Sequence, residues 1–274
     1  MSPKAPPFCD NVRLATIADV PRIAVVATAG FYYSPVFSWE RTYHKEYPRD
    51  TMMSYQKMFA DIIRDPQYVA LVIEDEYRHL ENNETDATIE ADISLMPPKA
   101  GTKIIVGAAT WKFQPRSSRV GQFMDSKDME SLEKPTFDGG LGRDKSEDHT
   151  EDLDCKCDEA EEKYFQGHQL MDMIVVHPAY WRRGNGTKLV KWGLELADLD
   201  RVKQGVIAAE MGEKLYLSMN YKKLYDIEVM DDENSGNKVK VGVLQYTPSN
   251  LSPHGTPTKP RLWGWLPWLF WRAV

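Results

Sequence analysis

The chain has 274 residues, 42% of them hydrophobic, which is enough to bury a sizeable core in a single large domain. A formal net charge of −7 argues against general nucleic-acid binding, because polyanion binders carry a basic face that offsets phosphate charge. Only three cysteines occur, and Cys155 and Cys157 have no second pair or histidine cluster to complete a zinc site, so no metal is expected and a reducing, cytoplasmic compartment fits.

The opening "MSPKAPPFCDN" has prolines where a secretory signal needs an unbroken apolar core, and no run reaches the roughly 18 apolar residues of a membrane span. Val12 to Leu14 reads as a short strand. Thr16 followed by Asp19 can cap a helix whose apolar face runs Ile17, Val20, Ala24, Ala27 and Phe31. The stretch "FYYSPVFSWERTYHKEYP" is crowded with aromatics and broken by prolines, and reads as a loop. Helical spacing returns in "TMMSYQKMFADIIRD" at Met52, Tyr55, Met58, Phe59 and Ile62.

Tyr68 to Ile73 and Lys103 to Phe113 are strand-like runs that would pair through a loose hairpin with a long tip. Residues 125 to 163 then hold fifteen Asp or Glu against six Lys or Arg, a pattern that predicts a solvated acidic insertion over about 114–167. After it, Leu170 to Val176 reads as a buried strand. Thr187 to Arg201 reads as a helix with Leu189, Trp192, Leu196 and Ala197 inward, and Val206 to Ala209 as another strand, an order that indicates a parallel crossover. A short helix near Glu213 to Met219 and a strand from Val239 to Tyr246 complete the predicted core.

The tail from about residue 250 contains four of the eight tryptophans, within "PRLWGWLPWLFWRAV". It either packs on the domain or a partner subunit, or lies in a membrane interface between Arg261 and Arg272, although Pro267 interrupts any continuous helix there.

Between strand and helix, "VVHPAYWRRGNGTKLVKW" carries a glycine turn. A helix start has unpaired N–H groups and partial positive charge, glycines let a ligand approach the backbone, and Arg182 and Arg183 add charge at the rim, so phosphate is the leading ligand class. The spacing matches neither a P-loop nor a dinucleotide turn, whose third glycine would stand at Leu189. An ordinary strand-to-helix connection is the plain alternative.

The run Val176, His177, Pro178, Ala179, Tyr180, Trp181, Arg182, Arg183, Gly184, Asn185, Gly186 resembles the acetyl-CoA signature V-x-P-x-x-[QR]-x-x-G-x-[GA] of the GNAT superfamily, with Trp181 at the Gln or Arg position. "VRLATIADVPRIAVVATAGF" is similar to that family's opening strand and helix, and "GEKLYLSMNYKKL" to its later element, with Asn220 and Tyr221 in place of Gly-Phe. The resemblance implies one α/β domain over 1–274, a mixed and mostly antiparallel twisted sheet splayed at the acetyl-CoA site and flanked by helices.

The resemblance further implies that acetyl-CoA is held by Ile174, Val175, Val176, Trp181, Arg182, Arg183, Gly184, Asn185, Gly186 and Thr187, mainly through main-chain groups. Tyr216 matches the tyrosine that protonates the CoA sulfur in relatives, or it is a tyrosine packed under the last helix. Asp172, costly within an apolar strand, is a base, a cation holder or a core ion-pair member, and Glu210 is a further candidate base. His177 has a suitable proton affinity but reads as a surface histidine at the strand end. Phe31, Tyr32, Tyr33, Phe37 and Trp39 would line a pocket for a small hydrophobic or aromatic amine, each with core packing as its alternative. The reaction expected is acetyl transfer to that amine in a ternary complex, by a monomer or homodimer that binds no nucleic acid. The rival expectation is a non-catalytic acyl-CoA-binding module at a membrane surface, with Trp181 marking lost turnover.

Overall fold

The computed structural model describes residues 5–9, 11–90, 98–99, 101–124, 142–230, 238–249 and 251. Strand β1 (Val12–Leu14) leads through a single 3-10 turn, Ile17–Asp19, into helix α1 (Val20–Phe31). Thr16 and Asp19 form the expected contact, Thr16 donating its backbone N–H to Asp19 Oδ2 at 2.8 Å. The aromatic stretch is not all loop: it contains α2 (Pro35–Glu40). Ser34 caps this helix by accepting the Val36 N–H at 3.2 Å, and Pro35 presets the backbone of the first turn. Helix α3 (Pro48–Arg64) buries Met52, Tyr55, Met58, Phe59 and Ile62 as their spacing predicts.

Strands β2 (Tyr68–Glu76) and β3 (Lys103–Lys112) pair antiparallel from Tyr68↔Lys112 to Glu76↔Lys103. The chain continues through α4 (Glu147–Tyr164), β4 (Gln169–Val176), α5 (Asn185–Asp200), β5 (Gln204–Ala209), α6 (Glu210–Ser218), β6 (Lys222–Met230) and β7 (Lys238–Tyr246). Together the strands form one sheet in the order β1-β2-β3-β4-β5-β7-β6, antiparallel everywhere except between β4 and β5. This is the mixed, mostly antiparallel, helix-flanked sheet expected.

One further expectation needs correction, and one strand was not foreseen. The acidic segment is not simply a solvated insertion, because its C-terminal half is the 18-residue helix α4. Leu153, Cys157 and Ala160 form a narrow apolar stripe on it and pack with Val36, Trp39, Val229 and Val241 over the far half of the sheet, while the carboxylates take the other face. Strand β6 is not evident from composition, since as an edge strand it buries only Ile227 and Val229 among Lys, Asp and Glu. Residues 125–141 and the tryptophan-rich tail from 252 onward lie outside the described residues. Among the described residues no helix is long and apolar enough to cross a membrane.

The sheet has two faces with separate cores. Trp111, Leu189, Trp192, Leu196 and Tyr216 pack beneath α5 and α6, whereas Ile23, Ala27, Phe59, Val72 and Met173 pack beneath α1 and α3. At the centre, β4 pairs with β5 only at Gln169↔Gln204 and Leu170↔Gly205, and the two strands then diverge. Facing β3, the register of β4 slips between Met171 and Met173, so Asp172 is the extra residue of a bulge.

Helix α5 sits so close to the sheet that a Cβ on Gly193 would lie 2.3 Å from Nε1 of the fully buried Trp111. Gly193→Ala should therefore destabilise the fold by about 1–3 kcal/mol through overpacking. Denaturant unfolding measures this, and an unchanged midpoint would contradict the close approach.

Candidate active site

The divergence of β4 from β5 leaves part of the β4 backbone without a neighbouring strand. His177 donates its N–H to Val106 O on β3 at 2.9 Å, and strand groups alternate in direction, so Val175 also faces β3 while Ile174 and Val176 face the opening. The cleft-facing positions are thus Ile174 and Val176. Val175 does not join them: its backbone groups are directed at β3 and its side chain is buried beneath α1.

Directly after β4, a 3-10 turn over Pro178–Tyr180 leads to Trp181, then to Arg182 with φ +61° and Gly184 with φ +79°. Gly184 is the N-cap of α5, and its left-handed backbone is one that glycine adopts at little cost. Asn185 opens the helix and is buried, its side chain donating to Tyr180 O at 3.5 Å. Gly186 and Thr187 complete the first turn, whose N–H groups have no intrahelical acceptor. Arg182 and Arg183 are both exposed at the rim, but Arg183 is tethered to Asp75 at 3.1 Å and lies over the Tyr180 ring. Trp181 turns back over the strand end: its indole N–H donates to Val176 O at 2.6 Å, and its ring meets Tyr33 edge-on at 5.3 Å.

Tyr216 projects from α6 and is 1% exposed, and among the described residues nothing hydrogen-bonds to its hydroxyl. Burial, reinforced by the charge of Asp172, raises its pKa far above the ordinary value and keeps it protonated. The structure therefore brings Tyr216 and Asp172 into one electrostatic neighbourhood. Asp172 accepts a hydrogen bond from Thr110 Oγ1 at 2.9 Å. Glu210 stands apart, exposed in the first turn of α6 and paired with Lys214 at 2.7 Å, which lowers its pKa. Among the described residues, none shields that carboxylate from bulk water.

Burial divides the five aromatic candidates. Phe31 and Phe37 pack into the core beneath α1 and α3, and Trp39 stacks on His149 at 4.1 Å while filling the cluster under α4. Only Tyr32 and Tyr33 reach the surface, which corrects the expectation of five lining residues: three are spent on the core.

A polar cluster without periodicity in the sequence, largely buried except for Arg78, holds the turn in place. Arg22 of α1 pairs with Glu81, its Nη2 donating to Oε2 at 3.0 Å, and also donates from Nε to Ile105 O at 2.8 Å. Tyr180 donates to Glu81 Oε2 at 2.7 Å and accepts the Arg78 N–H at 3.0 Å, while the Arg78 side chain donates to Ala179 O at 2.7 Å. The connection between β2 and β3 thus clamps the turn against α1.

A relative from Stachybotrys chartarum (strain CBS 109288 / IBT 7711), described as an acetyltransferase, is 31% identical over 244 residues, which is 89% of this chain and 94% of that protein. Among solved structures, histone acetyltransferase HPA2 and related acetyltransferase from Corynebacterium glutamicum ATCC 13032 is 16% identical, over 91% of this chain and 98% of that one, with a TM-score of 0.48. YncA from Salmonella typhimurium, a putative acetyltransferase solved with its cofactor acetyl-CoA, is 13% identical over 90% and 96% of the two chains, with a TM-score of 0.43. No family model matches the chain.

His177 is not the surface histidine that its position before Pro178 suggested. It is fully buried, its Nδ1 accepts the Ala179 N–H at 3.2 Å, and burial, with a contribution from Arg22, lowers its pKa from 6.5 to about 4. The fold thus favours the neutral ring, so this contribution is complete above pH 6.5 and declines as acid protonates the unfolded chain but not the folded one. His177 should cost about 3 kcal/mol of stability between pH 6.5 and 4. His177→Gln should flatten that part of the stability curve in parallel unfolding series, and an identical slope in both proteins would refute it.

Proposed function

The chain belongs to the GNAT superfamily of acyl-CoA-dependent acetyltransferases, and on that premise we propose that it transfers the acetyl group of acetyl-CoA to the primary amine of a small hydrophobic or aromatic acceptor, by direct attack in a ternary complex. The observation that carries this reading is the two-residue pairing of β4 with β5 beside a glycine turn at a helix start. Apart from the Val176 carbonyl, which takes the Trp181 indole N–H, the cleft-facing edge at Ile174 and Val176 suits a strand-like amide chain, and the N–H groups of the first turn of α5 suit a pyrophosphate.

When bound, acetyl-CoA supplies a thioester whose acyl carbon accepts the amine and whose sulfur leaves. The chain's own groups then have distinct tasks. Main-chain N–H groups of the first turn of α5, with Arg182 at the rim, hold phosphate oxygens. A cleft-facing N–H of β4 polarises the acyl carbonyl, a role supported by the pairing with β3 that fixes the strand on its other side. Tyr216 Oη–H, protonated and unpartnered, is the donor to the leaving sulfur. Asp172, at the bulge, is the candidate to take the proton released by the amine, directly or through water.

The test is release of free thiol from acetyl-CoA in the presence of an amine panel. Tyr216→Phe should lower turnover roughly 100-fold or more with acetyl-CoA affinity retained, and unchanged turnover would remove it as the donor. Gly184→Asp, which puts a β-carbon on a left-handed residue and a negative charge at the helix start, should weaken acetyl-CoA binding at least about tenfold in calorimetry. Wild-type affinity in that variant would count against the loop assignment.

A further inference from the structure

Trp181 stands where the GNAT signature has a polar residue. An indole has one polar group, a donor. Here that N–H is committed to Val176 O at 2.6 Å, so the side chain has nothing further to give a phosphate oxygen. What the ring presents instead is a polarised aromatic surface, and its location decides what that surface meets.

The two faces of the cleft are distinct. On one face, a Cβ at Gly186 would be nearest to side-chain atoms of Leu215, Ile174 and Val176, which places the start of α5 with α6 and the Ile174 and Val176 side chains. On the other face, α1 comes down on β4 so closely that a Cβ at Gly30 would lie 2.5 Å from Val175 Cγ2 and 2.8 Å from Val176 O. Trp181 reaches around the strand end to this second face and meets Tyr33, just beyond the end of α1. Tyr33 meets Tyr32 edge-on at 5.4 Å, and its hydroxyl accepts the Asp86 N–H at 3.0 Å, which holds the ring in place. Three partly exposed rings therefore run in sequence from the glycine turn over the end of α1.

The geometry points to Trp181 as an acceptor-selecting residue: with Tyr33 and Tyr32 it forms an aromatic wall on the α1 face of the cleft that favours amines bearing an aryl group. The inference rests on the transferase reading above, in which the donor is held at the start of α5 and the amine must approach from the face that the donor loop leaves open. It transfers Trp181 from the donor site, where the signature would put it, to the acceptor site. It also gives the replacement of Gln or Arg by Trp a chemical consequence, since it exchanges a hydrogen-bonding side chain for an edge-to-face partner that a flat apolar group can use.

The experiment measures kcat and KM by thiol release with acetyl-CoA and two acceptors, 2-phenylethylamine and hexylamine, together with the acetyl-CoA Kd by calorimetry. Trp181→Ala should lower the phenylethylamine-to-hexylamine ratio of kcat/KM about tenfold, mainly through the KM of the aryl amine, with the acetyl-CoA Kd held within about twofold. Trp181→Phe, which keeps a ring and loses the N–H, should retain most of the ratio. Tyr33→Ala lies outside the glycine turn and should lower the same ratio, so the inference stays testable even if Trp181→Ala does not fold.

An unchanged ratio in both alanine variants would overturn the inference. So would a rise in acetyl-CoA Kd that accounts for the whole loss in Trp181→Ala, or a fall in Trp181→Phe as deep as in Trp181→Ala, which would assign the effect to the bond with Val176. Those outcomes leave the transferase reading standing. Wild-type protein that binds acetyl-CoA and acetylates neither amine would instead overturn the acceptor class, and the aromatic wall with it.

Discussion

Strands β4 and β5 stay together for only two residue pairs, and the rest of the site follows from that separation. A strand edge inside a protein cannot be left bare, because each unpaired N–H or C=O away from water forfeits about a hydrogen bond's worth of free energy. Two devices meet this demand. The bulge at Asp172 and the pairing with β3 hold β4 rigid on one side, and on the other the Val176 carbonyl takes the Trp181 indole N–H. The remaining cleft-facing groups are those that a ligand with its own amides can pair with, so the separation that costs the sheet its hydrogen bonds also makes the edge proposed for acetyl-CoA.

The glycine turn needs an equally firm support, since backbone N–H groups bind an anion well only if they already point at it. That support comes from Arg22, Glu81, Tyr180 and Arg78. A buried ion pair is weak evidence for stability in itself, because desolvation offsets much of its attraction, but its directional bonds leave few alternative placements for the segments that carry it. Here those segments are α1, the connection between β2 and β3, and the turn before α5. His177 packs against the Tyr180 ring of this cluster, and burial keeps it neutral, with Arg22 favouring and Glu81 opposing the neutral form. In the reaction proposed above, proton transfer falls to groups on other elements, Tyr216 on α6 and Asp172 at the bulge.

Some of this was legible in the residues and some was not. The glycine turn, the strand before it and the helix after it were readable because each obeys a short-range rule: periodicity for α5, apolar run length for β4, and glycine where φ is positive. Asn220 follows the same logic, since its left-handed backbone with φ +66° is one that asparagine tolerates where the GNAT pattern has glycine. Helix α4 was obscured because a stripe of three buried residues carries little weight among so many carboxylates. Strand β6 was obscured because an edge strand keeps only alternate residues of one face inside. The five aromatics could not be sorted by composition, since a ring in a core and a ring in a pocket look the same in one dimension.

By itself the sequence determined the family, the order of most elements and the place of the glycine turn, because these depend on neighbours within a few residues or on a contiguous motif. Only the tertiary structure decided that Phe31, Phe37 and Trp39 are core while Tyr32 and Tyr33 reach the surface, that His177 is sealed, that Glu210 is solvated, and that Trp181 faces α1. Each of those facts is set by what lies across the sheet or beyond a long connection. Burial, proton affinity and the direction of a side chain are properties of that surrounding, and residues far apart in the chain supply it.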